Sequence, residues 1–253
     1  MRPIALLAAI LAIVAAGGAA AAPVDPFADW AAIVVSGDDH AAHEDRPTAA
    51  FDNARRDVAS ALEQRGFRAD NLAQIAVGDA PDGSASELDL ASRRLMAKAR
   101  QATGGCLVYV TSHGSPDGVL IGDRIVSPAA LRRVVRQACA TRPTAVIISA
   151  CFSGVFVPTM SAALGPNGFI LTAARRDRSS FGCSENDRYP FFDGCVIEDL
   201  PQASGFVDLA DRVRKCVRLR EDEEGMRPRS QPQLYVGAAF RADRLRLPPA
   251  PGG

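Results

Sequence analysis

Two side chains in this 253-residue chain stand where chemistry is easiest to imagine, His113 and Cys151. Each follows an apolar run and is followed closely by glycine: Cys106-Leu-Val-Tyr-Val-Thr-Ser-His113-Gly-Ser115 and Thr144-Ala-Val-Ile-Ile-Ser-Ala-Cys151-Phe-Ser-Gly154. Apolar runs this short, bounded by turn residues, read as strands buried on both faces. If the two strands are parallel neighbours, both side chains emerge at the carboxyl edge of one sheet, where open α/β sheets place their sites. A thiol needs a base to become a thiolate near neutral pH, and an imidazole suits that task. The thiolate attacks a carbonyl and the imidazole protonates the leaving amine. The resulting oxyanion needs donors. Gly114 lets backbone approach without a Cβ, and the Cys151 amide supplies a second N–H. Taken singly, a cysteine after a buried strand is a small apolar filler and His-Gly is a turn; their matching positions favour the chemical reading.

Other chemistries fit less well. Phe152 to Met160 contains no arginine to close a phosphate loop, and three histidines without a C-x-x-C offer no zinc site. The Gly-x-Gly-x-x-Gly, Gly-Lys-Ser/Thr and Gly-x-Ser-x-Gly signatures are absent, so no cofactor is expected. The 29 basic residues balance 29 acidic ones, and nothing in that balance calls for nucleic acid.

The elements that must position the pair follow in order. Trp30 to Ser36 is a first strand, stopped by Gly37-Asp38-Asp39. His40 to Thr48 is a polar loop, and Phe51 to Gly66 has helical spacing. Leu72 to Val77 is a strand, closed by the turn 78–83, and Ser86 to Ala102 is a helix. After the His113 strand, Val119 to Val126 reads as a hairpin about Gly122-Asp123. Ser127-Pro128 opens a helix reaching Cys139. The Cys151 strand leads into an apolar segment, Val155 to Leu164, and Gly168 to Ala174 is another buried strand. Arg175 to Asp193 has no clear period and reads as a functional loop. Val207 to Leu219 looks helical, and Leu234 to Phe240 is a last strand before a Pro-Gly tail. Alternating strands and helices imply one α/β domain with a mostly parallel sheet.

Met1-Arg2, an apolar block from Ile4 to Ala16 and a decay into Gly and Ala read as a secretory signal over 1–22, with an uncleaved anchor as the rival. The remaining domain is 23–253. Six cysteines in an exported chain suggest disulfides. With Cys151 free, five remain and cannot all pair. Cys106 opens a strand and Cys139 closes the following helix, so a bridge away from the site is plausible beside buried unpaired thiols.

Thr111-Ser-His-Gly-Ser115 and Ser149-Ala-Cys-Phe-Ser-Gly154, each after a strand, resemble the legumain-type cysteine peptidases, peptidase family C13. Thr172-Ala-Ala to Ser179-Ser-Phe-Gly-Cys-Ser184 and Asp187-Arg-Tyr-Pro-Phe-Phe192 are similar to bacterial members. The resemblance covers about residues 30 to 240. It implies a caspase-like three-layer α/β fold, a His113/Cys151 dyad and an oxyanion hole from the Gly114 and Cys151 amides. It also implies Arg46, Ser149, Asp193, Ser179 and Ser180 as substrate-binding positions. Arg46 is otherwise a solvated loop cation, and Ser179 and Ser180 are otherwise turn residues. Ser149 stands where legumain carries a carboxylate, which removes the basis for an asparagine preference.

The implied activity is an exported endopeptidase acting on peptide or protein through a thioester acyl-enzyme, in the periplasm or outside the cell. A transpeptidase-type acyl transfer is a variant of it. An inactive peptide-binding relative and a disulfide-stabilised scaffold are the alternatives. No metal or nucleic acid is expected, and a membrane only if the N-terminal segment is retained.

Overall fold

Short apolar runs rich in Val, Ile and Leu form the central sheet because residues buried on both faces favour β-branched side chains. The computed structural model describes residues 26–42, 46–80 and 86–240. The N-terminal signal, part of the turn 78–83 and the Pro-Gly tail lie outside the described residues. The chain begins with β1 (Trp30–Ser36), α1 (Ala50–Gln64), β2 (Leu72–Ile75), α2 (Glu87–Gln101) and β3 (Gly105–Thr111). A small antiparallel sheet of β4 (Gly114–Ser115), β5 (Gly118–Ile121) and β6 (Arg124–Val126) follows. Then come α3 (Pro128–Cys139), β7 (Thr144–Ser149), α4 (Phe156–Leu164) and β8 (Gly168–Thr172). The chain continues with α5 (Phe191–Asp199), α6 (Phe206–Glu223) and β9 (Gln233–Val236).

The main sheet runs β2-β1-β3-β7-β8-β9, parallel throughout except for the antiparallel edge strand β9. Alternate residues serve opposite faces, as the period of two requires. Val34, Leu107, Tyr109 and Ile147 pack with Val58 and Leu62 of α1, Val196 of α5 and Val213 of α6. Ile33, Val108, Val146 and Ile148 pack with Leu95 of α2, Leu131 and Val135 of α3 and Met160 of α4. This is the expected three-layer arrangement. Each such side chain, fully buried, contributes about 1.5–3 kcal/mol of transfer free energy, which lets the strand ends carry irregular loops. No helix among the described residues is long and apolar enough to cross a membrane.

Local signals act as chemistry dictates. Ser86 and Asp89 form a capping box at α2, and Ser127 accepts from the Ala130 amide at α3 with Pro128 at the first position. The region expected to be irregular through Asp193 instead becomes helical at Phe191. All of Phe192 to Val196 in α5 is buried, and Asp193 and Gly194 are poor helix formers, so no amphipathic period marked it. The last strand stops at Val236, because the Gly237 amide turns back to the Gly168 carbonyl and Phe240 folds into the core. Disulfides join Cys106 to Cys139 and Cys195 to Cys216, tying β3 to α3 and α5 to α6.

Candidate active site

Strands β3 and β7 are parallel neighbours, with Thr111 opposite Ser149 at their carboxyl ends. The Ser112 amide donates to the Ser149 carbonyl at 3.0 Å, so the chains are still together as they leave the sheet. Two residues past each end stand His113 and Cys151. Both line one cavity of about 790 Å³, together with Gly114, Ser179, Ser180 and Cys183.

His113 is held on two sides. Phe51 of α1 meets its ring edge-on, with centroids 5.0 Å apart. Its Nε2 lies 2.9 Å from the His40 carbonyl oxygen. A carbonyl only accepts, so Nε2 carries the proton and Nδ1 keeps its lone pair when the ring is neutral. The imidazole therefore has a basic nitrogen on the side away from His40.

Cys151 sits at a tight corner. Phe152, the next residue, has φ of +57°, the left-handed region that costs a non-glycine residue about 1–2 kcal/mol. The corner is locked from the far side: Phe152 N donates to Arg178 O at 2.8 Å, and Ala174 N to Ser153 Oγ at 3.1 Å. Backbone strain held by surrounding bonds marks positions where geometry matters. Gly114 is needed for close approach. A Cβ there would lie 2.2 Å from the Cys151 carbonyl oxygen, so only glycine lets the chain after His113 press against the cysteine peptide. The Cys151 sulfur receives the Ser180 N–H at 3.3 Å. It is a free thiol.

The sequence model of the Peptidase C13 family matches residues 25–197. The chain belongs to the peptidase C13 family. Among solved structures, caspase-1 from Spodoptera frugiperda is similar, with a TM-score of 0.61 over 84% of this chain and 88% of that one. At 16% identity that likeness establishes a caspase-like α/β fold and nothing finer. No curated protein sequence matches the chain. Membership makes this a chain of the cysteine-peptidase type, a family whose substrates are peptides or proteins.

In this C13 chain the positions expected to bind substrate divide. Ser179 and Ser180 are on the cavity wall. Arg46, Ser149 and Asp193 are not among the residues lining it. The Arg46 guanidinium pairs with Glu185 at 2.7 Å. Asp193 belongs to the first turn of α5 rather than to a loop, and it is fully buried. Three hydroxyls converge on its carboxylate, from Tyr109, Thr111 at 2.8 Å and Ser149 at 2.7 Å. Burial pushes Asp193 up to about 6, while those hydrogen bonds pull the other way. Burial, then the neighbouring Asp193, holds the Tyr109 phenol well above its ordinary value. Ser149 and Asp193 thus belong to a buried, hydrogen-bonded polar layer at the carboxyl ends of β3 and β7.

Sequence reasoning also passed over Asp38, His40 and Cys183. The half-buried Cys183 thiol is pushed up to about 12, first by burial and then by Cys151 and nearby carboxylates. Its carbonyl accepts from Ala42 N at 2.9 Å, joining the loop after β1 to the opposite wall. Asp38, Asp39 and His40 bring ligand atoms within 4.8 Å of one another, but Asp39 and His40 are exposed, and exposed acidic groups commonly cluster without a metal.

Proposed function

We propose that this C13 chain is an exported cysteine endopeptidase in which Cys151 is the nucleophile and His113 the general base and acid. The observation that carries the reading is the placement of imidazole and thiol two residues past paired strand ends in one cavity, with Nδ1 left basic by the His40 contact. Nδ1 takes the thiol proton, and the sulfur attacks the scissile carbonyl. The amides of Gly114 and Cys151 receive the developing oxyanion. His113 then protonates the leaving amine, and water, deprotonated by His113, releases the product acid from the thioester. Transfer to an amine in place of water uses the same steps. Arg46, beyond the cavity wall, and Ser179 and Ser180, on it, act on the substrate's flanks, while Ser149 and Asp193 act from below.

Export rests on the N-terminal apolar block and is supported by two disulfides, which persist in oxidising compartments. The test is cleavage of a fluorogenic peptide library by the chain purified without residues 1–22, together with labelling by an iodoacetamide probe. Cys151→Ala should abolish both cleavage and labelling at that position, and His113→Ala should lose cleavage and slow labelling. Cleavage that survives Cys151→Ala would overturn the reading. Rapid Cys151 labelling with no cleavage of any library member would favour the peptide-binding relative.

A further inference from the structure

We infer that the cleft selects substrates carrying a lysine or arginine side chain within two residues of the scissile bond, with Asp187 and Glu224 making the selection. This rests on the reading of the cleft as a peptidase site and names the substrate class for it. Charge supplies the first observation. Apart from the dyad, the ionised side chains lining the cavity of about 790 Å³ are Asp187 and Glu224, and no lysine or arginine lines it.

Neither carboxylate is neutralised by the protein. Asp187 is half-buried, and its Oδ2 accepts from the Ser184 amide at 2.7 Å and the Ser184 hydroxyl at 2.6 Å. Those partners are uncharged and shape a turn. Glu224 follows the end of α6, where its amide donates to the Arg220 carbonyl at 3.0 Å and its side chain is exposed. Arginines of the adjoining loops pair with other acids: Arg46 with Glu185 at 2.7 Å, Arg178 with Asp177 at 3.5 Å and Arg188 with Asp57 at 3.6 Å. The charge of Asp187 and Glu224 is therefore left for whatever enters the cleft.

The wall that carries Asp187 is built in advance. It starts at the nucleophile, where the Ser180 amide donates to the Cys151 sulfur at 3.3 Å. Gly182 turns it at φ +88°, and a Cβ there would lie 2.6 Å from the Phe191 ring. Phe191 N donates to Phe181 O at 2.9 Å, and Thr48 Oγ1 to Ser184 O at 3.0 Å, which ties the wall to the loop after β1. Phe152, Phe181 and Phe191 add an apolar surface to the same cavity, the last two with ring centroids 6.5 Å apart. A lysine or arginine is apolar along its stem and charged at its tip, so its methylenes lie on such a surface while the head reaches a carboxylate. A ring face attracts the same head, and a glutamate would meet like charge. The Cys183 thiol in this wall already registers that environment, held up first by burial and then by Cys151, Asp187, Asp193 and Asp38.

The test uses the chain without residues 1–22 and peptides that differ at one position beside the cut: lysine against norleucine, and arginine against citrulline. At low salt, kcat/KM for at least one cationic peptide should exceed that of its neutral partner roughly tenfold, and the ratio should shrink at high salt. In the Asp187→Asn, Glu224→Gln double variant the ratio should fall to within about twofold of unity. Asp70→Asn, a carboxylate 87% exposed just before β2, should leave the ratio where it is. Should the double variant not fold, Glu224→Gln alone, at an exposed position, should lower the ratio about threefold. A wild-type ratio near unity, or a ratio untouched in a folded variant, overturns the inference. Binding separates it from the chemistry. In Cys151→Ala, fluorescence anisotropy with the same labelled peptides should show the cationic peptide held more tightly than its neutral partner. Equal affinities there overturn the inference even where the wild type cleaves and the dyad stands. Cleavage that persists in Cys151→Ala overturns the dyad, and the affinity ratio still decides the selection.

Discussion

Asp193 offers the sharpest quantitative test of how the fold treats charge beneath the cleft. Its carboxyl is raised from an ordinary 3.8 to about 6, roughly two pKa units or about 3 kcal/mol. A carboxyl raised on folding binds its proton more tightly in the native state. The stability it contributes is therefore fully present below pH 3.8 and is lost as pH rises to about 6. Above that the buried charge is retained only because Tyr109, Thr111 and Ser149 all donate to it. Asp193→Asn removes the titration and preserves the side-chain shape. The single tryptophan, Trp30, is 2% exposed within the core and reports unfolding in urea. Across pH 4 to 7 the wild-type chain should lose about 3 kcal/mol relative to Asp193→Asn, with the difference flattening above pH 6. Thr111→Val, which deletes one donor, should extend the loss to higher pH. A difference that is flat, or that grows in favour of the wild type as pH rises, would refute the account of Asp193 as a desolvated carboxyl.

Four further outcomes follow from the same structure. Gly114→Ala drives a Cβ to 2.2 Å from the Cys151 carbonyl oxygen, so peptide cleavage should be lost and urea stability should fall by about 1–3 kcal/mol. With its thiol pushed up to about 12, Cys183 should resist iodoacetamide at pH 8 while Cys151 is modified, as peptide mass mapping would show. The Cys195–Cys216 bridge spans 21 residues and Cys106–Cys139 spans 33, so double alanine variants should lose about 3 and about 4 kcal/mol in urea unfolding. Asp187 and Glu224 line the cavity and, among the described residues, no Lys or Arg does, so a peptide library should show acidic side chains disfavoured around the cut.

What was legible in the sequence was whatever local rules decide. Runs such as Leu107 to Val110 and Val146 to Ile148 announce buried strands, and a reactive residue two positions past such a run announces an edge site. The Cys106–Cys139 bridge was legible because a strand's first residues and the end of the helix after it meet at one edge. Cys195–Cys216 was not, since it joins two helices and α5 shows no apolar stripe. The resemblance carried Asp193 to a position along the chain but could not carry its depth. Whether a side chain lines a cleft or lies under it depends on which helix packs beneath β3 and β7.

Strand order was the decisive missing quantity, and it explains why Asp38 went unnoticed. Ser36-Gly37-Asp38 has the same grammar as the other two segments, an apolar run that stops beside glycine and a polar side chain. Read alone, it is only a stop signal. It gains meaning once β1 is known to lie against β3 with Ser36 level with Thr111, because parallel pairing keeps residues at equal offsets level beyond the strand ends. Two residues on, the carboxylate then falls beside the imidazole for the same reason that the imidazole falls beside the thiol. A shift of one residue in either pairing would send the side chain to the opposite face and dismantle the row. The arrangement therefore depends on the buried residues that hold register, Ile33 and Val35 against Val108 and Val110, and Val108 and Val110 against Val146 and Ile148, as much as on the polar groups that use it.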